Sequence, residues 1–84
     1  MKIKEAVQQA SKYLPEVFEA AAGRELRLEG VEKTDDSRFW KITFSYASGD
    51  SGLAAIDRDY KTVKLRDSDG ELMGVQNGML LTTM

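Results

Sequence analysis

Pairs of carboxylates are the residues of this 84-residue chain whose type and spacing could support acid–base chemistry. The pairs are Asp35 with Asp36, Asp57 with Asp59, and Glu29 with Glu32. General acid–base catalysis needs two carboxylates that share a cleft but sit in different environments. Each pair falls in a predicted turn or at a predicted strand end. That placement favours solvated surface charge over an active site.

The sequence DSDGE at residues 67–71 has the composition of a calcium-binding loop, and its spacing tests that interpretation. If Gly70 takes the sixth position of an EF-hand loop, Leu65 takes the first and Gln76 the twelfth, where acidic ligands are required. Neither leucine nor glutamine is acidic, so the match to a calcium-binding loop fails at both positions. We therefore predict a hairpin turn at this segment and no metal site.

Nucleophilic catalysis has little support in the composition, because the chain contains neither histidine nor cysteine. Ser45, Ser48 and Ser51 have no histidine that could activate them. A serine–lysine arrangement with Lys41 or Lys61 stays open, although no motif accompanies it. The glycines are scattered singly, without a phosphate-binding loop. We predict a protein that is not an enzyme and has no cofactor.

Size and charge limit the organisation and the partners of the chain. Residues 1–84 are long enough for one small domain. The net charge is −2 and both signs are mixed along the sequence, which indicates neither a nucleic-acid footprint nor a basic membrane anchor. No apolar run approaches the ~20 residues that span a bilayer. The N-terminal residues are charged and lack a secretory apolar segment, so we expect a cytoplasmic protein with no membrane association.

Apolar residues at alternating spacings of four and three predict an amphipathic N-terminal helix of about five turns. They are Ile3, Val7, Ala10, Leu14, Val17 and Ala21, with Ala6, Tyr13 and Phe18 beside them. Pro15 lacks a backbone N–H, so it either kinks one helix or separates two. The stripe keeps its phase across Pro15, which favours a single kinked helix that ends at Gly23.

Residues 39–46 alternate large apolar and polar side chains, which predicts a strand buried on one side. Trp40, Ile42, Phe44 and Tyr46 share the apolar face, and Lys41, Thr43 and Ser45 share the other. A first strand is predicted at residues 24–33, with a possible bulge at Gly30. Residues 53–57 are ambiguous between a loop and one helical turn.

The third strand is predicted at residues 58–66, followed by a hairpin with a three-residue loop and a left-handed Gly70. This register places Asp67 opposite Glu71, Leu65 opposite Met73 and Val63 opposite Val75. Val63, Leu65, Met73 and Val75 would then all point to the core. The predicted fold is α+β: one N-terminal helix packed on one face of a four-stranded antiparallel meander sheet. We expect an ordered core at about residues 3–76 and a loose C-terminal tail.

The sheet face turned away from the helix is the candidate binding surface. The residues predicted to point outward there are Arg58, Tyr60, Thr62, Lys64 and Arg66 on the third strand, Lys41, Thr43 and Ser45 on the central strand, and Arg27 on the first. With a helix on only one side, this face should be open to solvent and locally basic. Tyrosine and arginine are enriched where protein interfaces derive their binding energy.

Three interpretations of this face remain open: an ordinary solvated surface, a recognition surface for an acidic protein patch, and a nucleic-acid surface. The last has least support, because Tyr60 is the only aromatic residue available for stacking and Glu25 and Glu29 intrude. A partner strand could also add to a sheet edge, with Gly30 or Gly74 marking where pairing is allowed or blocked. We predict a protein-binding module, and a homodimer formed through the face or an edge is the alternative.

Three segments together resemble PepSY-type domains. They are ASKYLP at residues 10–15, WKITF at residues 40–44, and YKTVKL at residues 60–65 with DGEL at residues 69–72. Those domains place a helix against an antiparallel sheet and carry a hairpin with an Asp-x-x-Gly turn, which corresponds here to Asp67 and Gly70. The resemblance covers about residues 3–76 and implies a non-catalytic module that inhibits or regulates a partner.

Overall fold

The computed structural model describes residues 1–47 and 58–78. Its elements are α1 (Ile3–Val17), a 3-10 turn (Glu19–Ala21), β1 (Arg27–Lys33), β2 (Phe39–Ala47), β3 (Arg58–Arg66) and β4 (Leu72–Asn77). The ambiguous segment at residues 53–57 and the part of the predicted loose tail beyond residue 78 lie outside the described residues. The first tail residue, Asn77, belongs to β4.

The α+β prediction is confirmed. The four strands form one antiparallel sheet in the order β1-β2-β3-β4, which is a meander. Helix α1 packs on β2, β3 and β4 from one side. Short connections make neighbouring antiparallel pairing the natural outcome for consecutive strands.

Strand β2 is the centre of the core, as its alternation predicts. Trp40, Ile42, Phe44 and Tyr46 are all buried beneath the helix layer. The β2–β3 register pairs Ile42 with Val63, so both strands contribute the same face to the core. The remaining buried apolar residues are Ala6, Ala10, Leu14, Ala21 and Leu65.

The prediction of one continuous helix to Gly23 is wrong at its C-terminal end. Helix α1 includes Pro15 but ends two residues later, at Val17. Phe18 then adopts an extended conformation (φ −121°, ψ 108°), and a 3-10 turn follows. The extended residue directs the Phe18 ring towards β3, where it lies 4.6 Å from the Lys61 Nζ atom.

The buried apolar stripe of α1 is shorter than predicted. The small residues Ala6 and Ala10 and the larger Leu14 are fully buried against the sheet, whereas Ile3 and Val17 are exposed. Residues at the two ends of the helix therefore reach beyond the core.

Strand β1 begins at Arg27, three residues later than predicted. Gly23 has a positive φ of 78°, and the Arg24 N–H donates to the Ala21 carbonyl, so this stretch forms a turn. The predicted bulge is present: the register shifts between Leu28 and Gly30. Leu28 is paired with Phe44 but exposed, because it lies at the sheet edge.

The β3–β4 hairpin differs from the prediction in its loop and agrees in its register beyond the loop. The Arg66 N–H donates to the Glu71 carbonyl, which closes a four-residue loop instead of placing Asp67 opposite Glu71. Gly70 has the predicted positive φ, 72°. Leu65 pairs with Leu72, not Met73, and a register shift follows.

Met73 is the residue that this shift leaves without a partner. It is 44% exposed rather than buried, so its predicted place in the core is wrong. The extra loop residue and the bulge offset each other, and Val63 therefore pairs with Val75 as predicted.

Candidate functional site

The sheet face opposite α1, called the outer face below, contains the seven outward-pointing residues that we predict to bind a partner: Arg58, Tyr60, Thr62, Lys64, Arg66, Lys41 and Thr43. Cross-strand pairing puts Lys41 beside Lys64 and Thr43 beside Thr62, and it places Arg58, Tyr60 and Arg66 on the same side of β3. Directly paired residues project from the same side of an antiparallel sheet. Their common placement is established, and their role in binding a partner stays a prediction.

The prediction that this face is open to solvent is wrong at its centre. Thr43 and Thr62 are each 2% exposed. Their hydroxyl groups lie 2.9 Å apart, and Thr62 Oγ1 donates to the Gly78 carbonyl at 3.0 Å. Gly78 therefore places a peptide group on this face, and the two threonines cannot serve as contact residues.

Ser45 is also buried, at the end of the outer face towards Ala47. Its hydroxyl donates to the Glu29 carboxylate and accepts a 2.9 Å hydrogen bond from Arg58 Nε. Arg27 Nε donates to the same Glu29 oxygen at 2.7 Å. These bonds lower the pKa of Glu29, chiefly through Ser45 and then Arg27, and keep the carboxylate charged.

Arg66 is engaged within its own hairpin. It donates to Asp69 through two nitrogens, at 3.0 and 2.7 Å, and to Glu71 at 2.6 Å. The guanidinium group and the Glu71 N–H together lower the pKa of Asp69 to about 2. Arg66 thus contributes less free positive charge than its sequence position suggests.

Lys41 and Lys64 form the part of the outer face that best matches a binding surface. They are paired across β2 and β3, and within residues 1–47 and 58–78 neither forms an ion pair. Lys64 Nζ lies 4.4 Å from the centre of the Phe39 ring. Phe39 and the exposed Met73 line an adjoining groove of roughly 390 Å³. We call Lys41, Lys64, Phe39 and Met73 the basic patch.

Two members of the basic patch were missed from the sequence. Phe39 has the same parity as Lys41, so its position on the outer face could have been inferred from the alternation of β2. Met73 reaches the surface only because of the bulge. No local signal distinguishes that bulge from the regular hairpin.

The described residues form neither a metal site nor a serine–lysine pair at Ser45. Among them, no group of three or more carboxylates could hold a metal ion. The Ser45 hydroxyl bonds to Glu29 and Arg58 rather than to a lysine. Lys61 pairs with Phe44 on the helix side of the sheet, away from Ser45. Among the helices of these residues, none is long and apolar enough to cross a membrane.

The chain was compared with protein-family models, curated proteins and solved structures, and none of them matches it significantly. The resemblance to PepSY-type domains therefore stays a prediction.

Proposed function

We propose that this protein is a non-enzymatic binding module that recognises an acidic patch on a protein partner through its basic patch. The pairing of Lys41 with Lys64 carries the proposal. An inhibitory or regulatory effect on that partner is the role that the PepSY-type resemblance implies.

The two lysines are paired directly across β2 and β3 in the isolated protein. Like charges directly opposite each other destabilise a strand pair. Within the described residues, no carboxylate neutralises either ammonium group. A partner carboxylate would remove this repulsion, and the Phe39 ring and the Met73 side chain would add apolar contact area beside it.

Affinity capture from the native host with paired charge-reversal variants tests the proposal. Lys41→Glu with Lys64→Glu should reduce capture of a specific protein at least about tenfold, because loss of close interfacial charge pairs costs roughly 1.5 kcal/mol or more. The control is Lys12→Glu, the same substitution at an exposed position on α1. Equal capture by wild type and the double variant would contradict the proposal.

A homodimer through the β4 edge is a second candidate. Strand β1 carries four charged residues on the opposite edge, which discourage pairing, whereas Leu72–Asn77 contains none. Beyond the Met73 bulge, Gly74–Asn77 pairs regularly with β3 and would offer a four-residue template. Sedimentation velocity at about 0.5 mM separates the two candidates, since this concentration is well above the micromolar dissociation constants of specific association. A pure monomer would exclude the dimer.

A further inference from the structure

A second feature of the outer face lies at the end opposite the basic patch. A groove of about 560 Å³ opens there, beside the end of β2. Its lining residues are Gly23, Arg24, Glu25, Leu26, Arg27, Ala47 and Arg58. Three arginines and Glu25 line the groove, and the local charge stays positive when Glu29, which pairs with Arg27, is included. We call it the arginine groove.

Two of these arginines are held in place by hydrogen bonds on one side. Arg27 Nε and the Ser45 hydroxyl both donate to the Glu29 carboxylate, and Arg58 Nε donates to the Ser45 hydroxyl. Ser45 is fully buried, so the network is anchored in the sheet. Such supporting bonds orient a binding side chain before its ligand arrives and reduce the entropy lost on binding.

These hydrogen bonds use the Nε atoms of Arg27 and Arg58 and leave their terminal nitrogens available for a ligand. Arg58 uses only Nε, and its two terminal nitrogens donate to no group in the part of the chain that the structure describes. The Arg27 side chain is 59% exposed. Arginine presents a planar fork that matches the oxygens of carboxylate and phosphate groups.

We propose that the arginine groove is a binding site for a small oxyanion, in the form of a phosphate or carboxylate group held by the terminal nitrogens of Arg27 and Arg58. The site is separate from the basic patch and does not depend on the proposed acidic partner. The oxyanion would be an external ligand, since no carboxylate of the described residues pairs with Arg58 and Glu29 is held by the supporting network.

Titration followed by NMR tests this site in the intact protein. Phosphate, acetate and chloride are added separately at constant ionic strength while the Nε–H signals of the arginines are recorded. Phosphate or acetate should shift the Arg27 and Arg58 signals saturably, and the stronger ligand identifies the oxyanion class. Shifts that equal those with chloride, or that affect every arginine alike, would overturn the proposal.

Matched variants locate the binding. Arg58→Gln should weaken the saturable binding at least about tenfold, the effect of losing a charge-assisted hydrogen bond. Arg27→Gln should act in the same direction, and it changes a side chain that is 59% exposed. Arg38→Gln, at the far end of the sheet, should leave the affinity unchanged. Unchanged affinity in both Arg27→Gln and Arg58→Gln would exclude the site.

Discussion

The carboxylate of Asp67 accepts a 2.7 Å hydrogen bond from the indole N–H of Trp40. This contact joins the β3–β4 turn to the start of β2. Lys33 Nζ lies 3.6 Å from the same carboxylate oxygen and 5.1 Å from the centre of the Trp40 ring. The indole hydrogen bond is the largest cause of the lowered pKa of Asp67, followed by the neighbouring positive groups.

Trp40→Phe should lower the free energy of unfolding by less than half of the loss produced by Phe44→Ala. The phenyl ring keeps most of the buried area and the lysine contact, and only the indole donor is removed. Urea denaturation measures the loss. In an Asp67→Ala background the same substitution should cost less, and an equal cost in both backgrounds would show that the hydrogen bond is not the cause.

Phe44→Ala should destabilise the protein by about 3–5 kcal/mol, because the ring is buried in the centre of the sheet and its removal leaves a cavity. A loss of that size would unfold much of a marginally stable small domain, so the measurement needs a stabilising osmolyte. A loss below about 1 kcal/mol would contradict the assigned faces of β2.

The glycines of the hairpin and of the edge strands should respond differently to alanine. Gly70→Ala should cost about 1–2 kcal/mol, because a positive φ of 72° is unfavourable for a residue with a Cβ atom. Gly30→Ala and Gly74→Ala should be neutral or stabilising by up to about 1 kcal/mol, since an added Cβ meets no atom within 4 Å. Thermal unfolding of the three variants decides this. Equal losses would contradict the interpretation.

The losses of stability on replacing the buried hydroxyl groups of Thr43 and Thr62 should depend on each other. Thr62→Val should cost about 1–3 kcal/mol, because it removes the partner of both Thr43 and the Gly78 carbonyl. Thr43→Val removes one bond and should cost less. When both are replaced, the total should fall below the sum of the single losses. Additive losses in urea denaturation would show that the two hydroxyls do not interact.

Acid should weaken the hairpin through Asp69. Its pKa is lowered from 3.8 to about 2 in the folded protein, so its stabilising effect is complete above the ordinary value and disappears as the pH falls towards the folded value. The difference in Tm between wild type and Asp69→Asn should therefore be constant above about pH 5 and shrink towards pH 2. Asp35→Asn, in an exposed turn, provides the control. A difference that persists unchanged to pH 2 would refute the assignment.

The period-two pattern of residues 39–46 was enough to predict the strand, its buried face and the meander around it. Burial of large side chains on one side is a strong constraint, and short connections leave few alternative topologies. The end of α1 was not predictable in the same way. Phe18 leaves the helix within an unbroken apolar stripe, and its ring contacts Lys61 on a strand forty residues later.

The candidate site was likewise predictable where it depends on strand alternation, and not where it depends on tertiary contacts. The alternation of side chains along β2 and β3 predicts that Lys41 and Lys64 share one face, and the β2–β3 register confirms this. Thr43 and Thr62 are buried where Thr62 bonds to the Gly78 carbonyl, a contact that no local pattern of those strands encodes. The arginine groove was not predictable, because its lining combines residues 23–26 before β1 with the ends of β1, β2 and β3, which meet only in the folded sheet.

Because of the bulge at Met73, β4 contains one residue more than its pairing with β3 requires. Without Met73, Leu72 would still face Leu65 and Gly74 would still face Lys64, so the core would be unchanged. The uninterrupted strand would, however, be a longer and flatter template for unwanted pairing with other chains. The bulged Met73 thus interrupts that template at the same position where it supplies apolar surface next to Phe39.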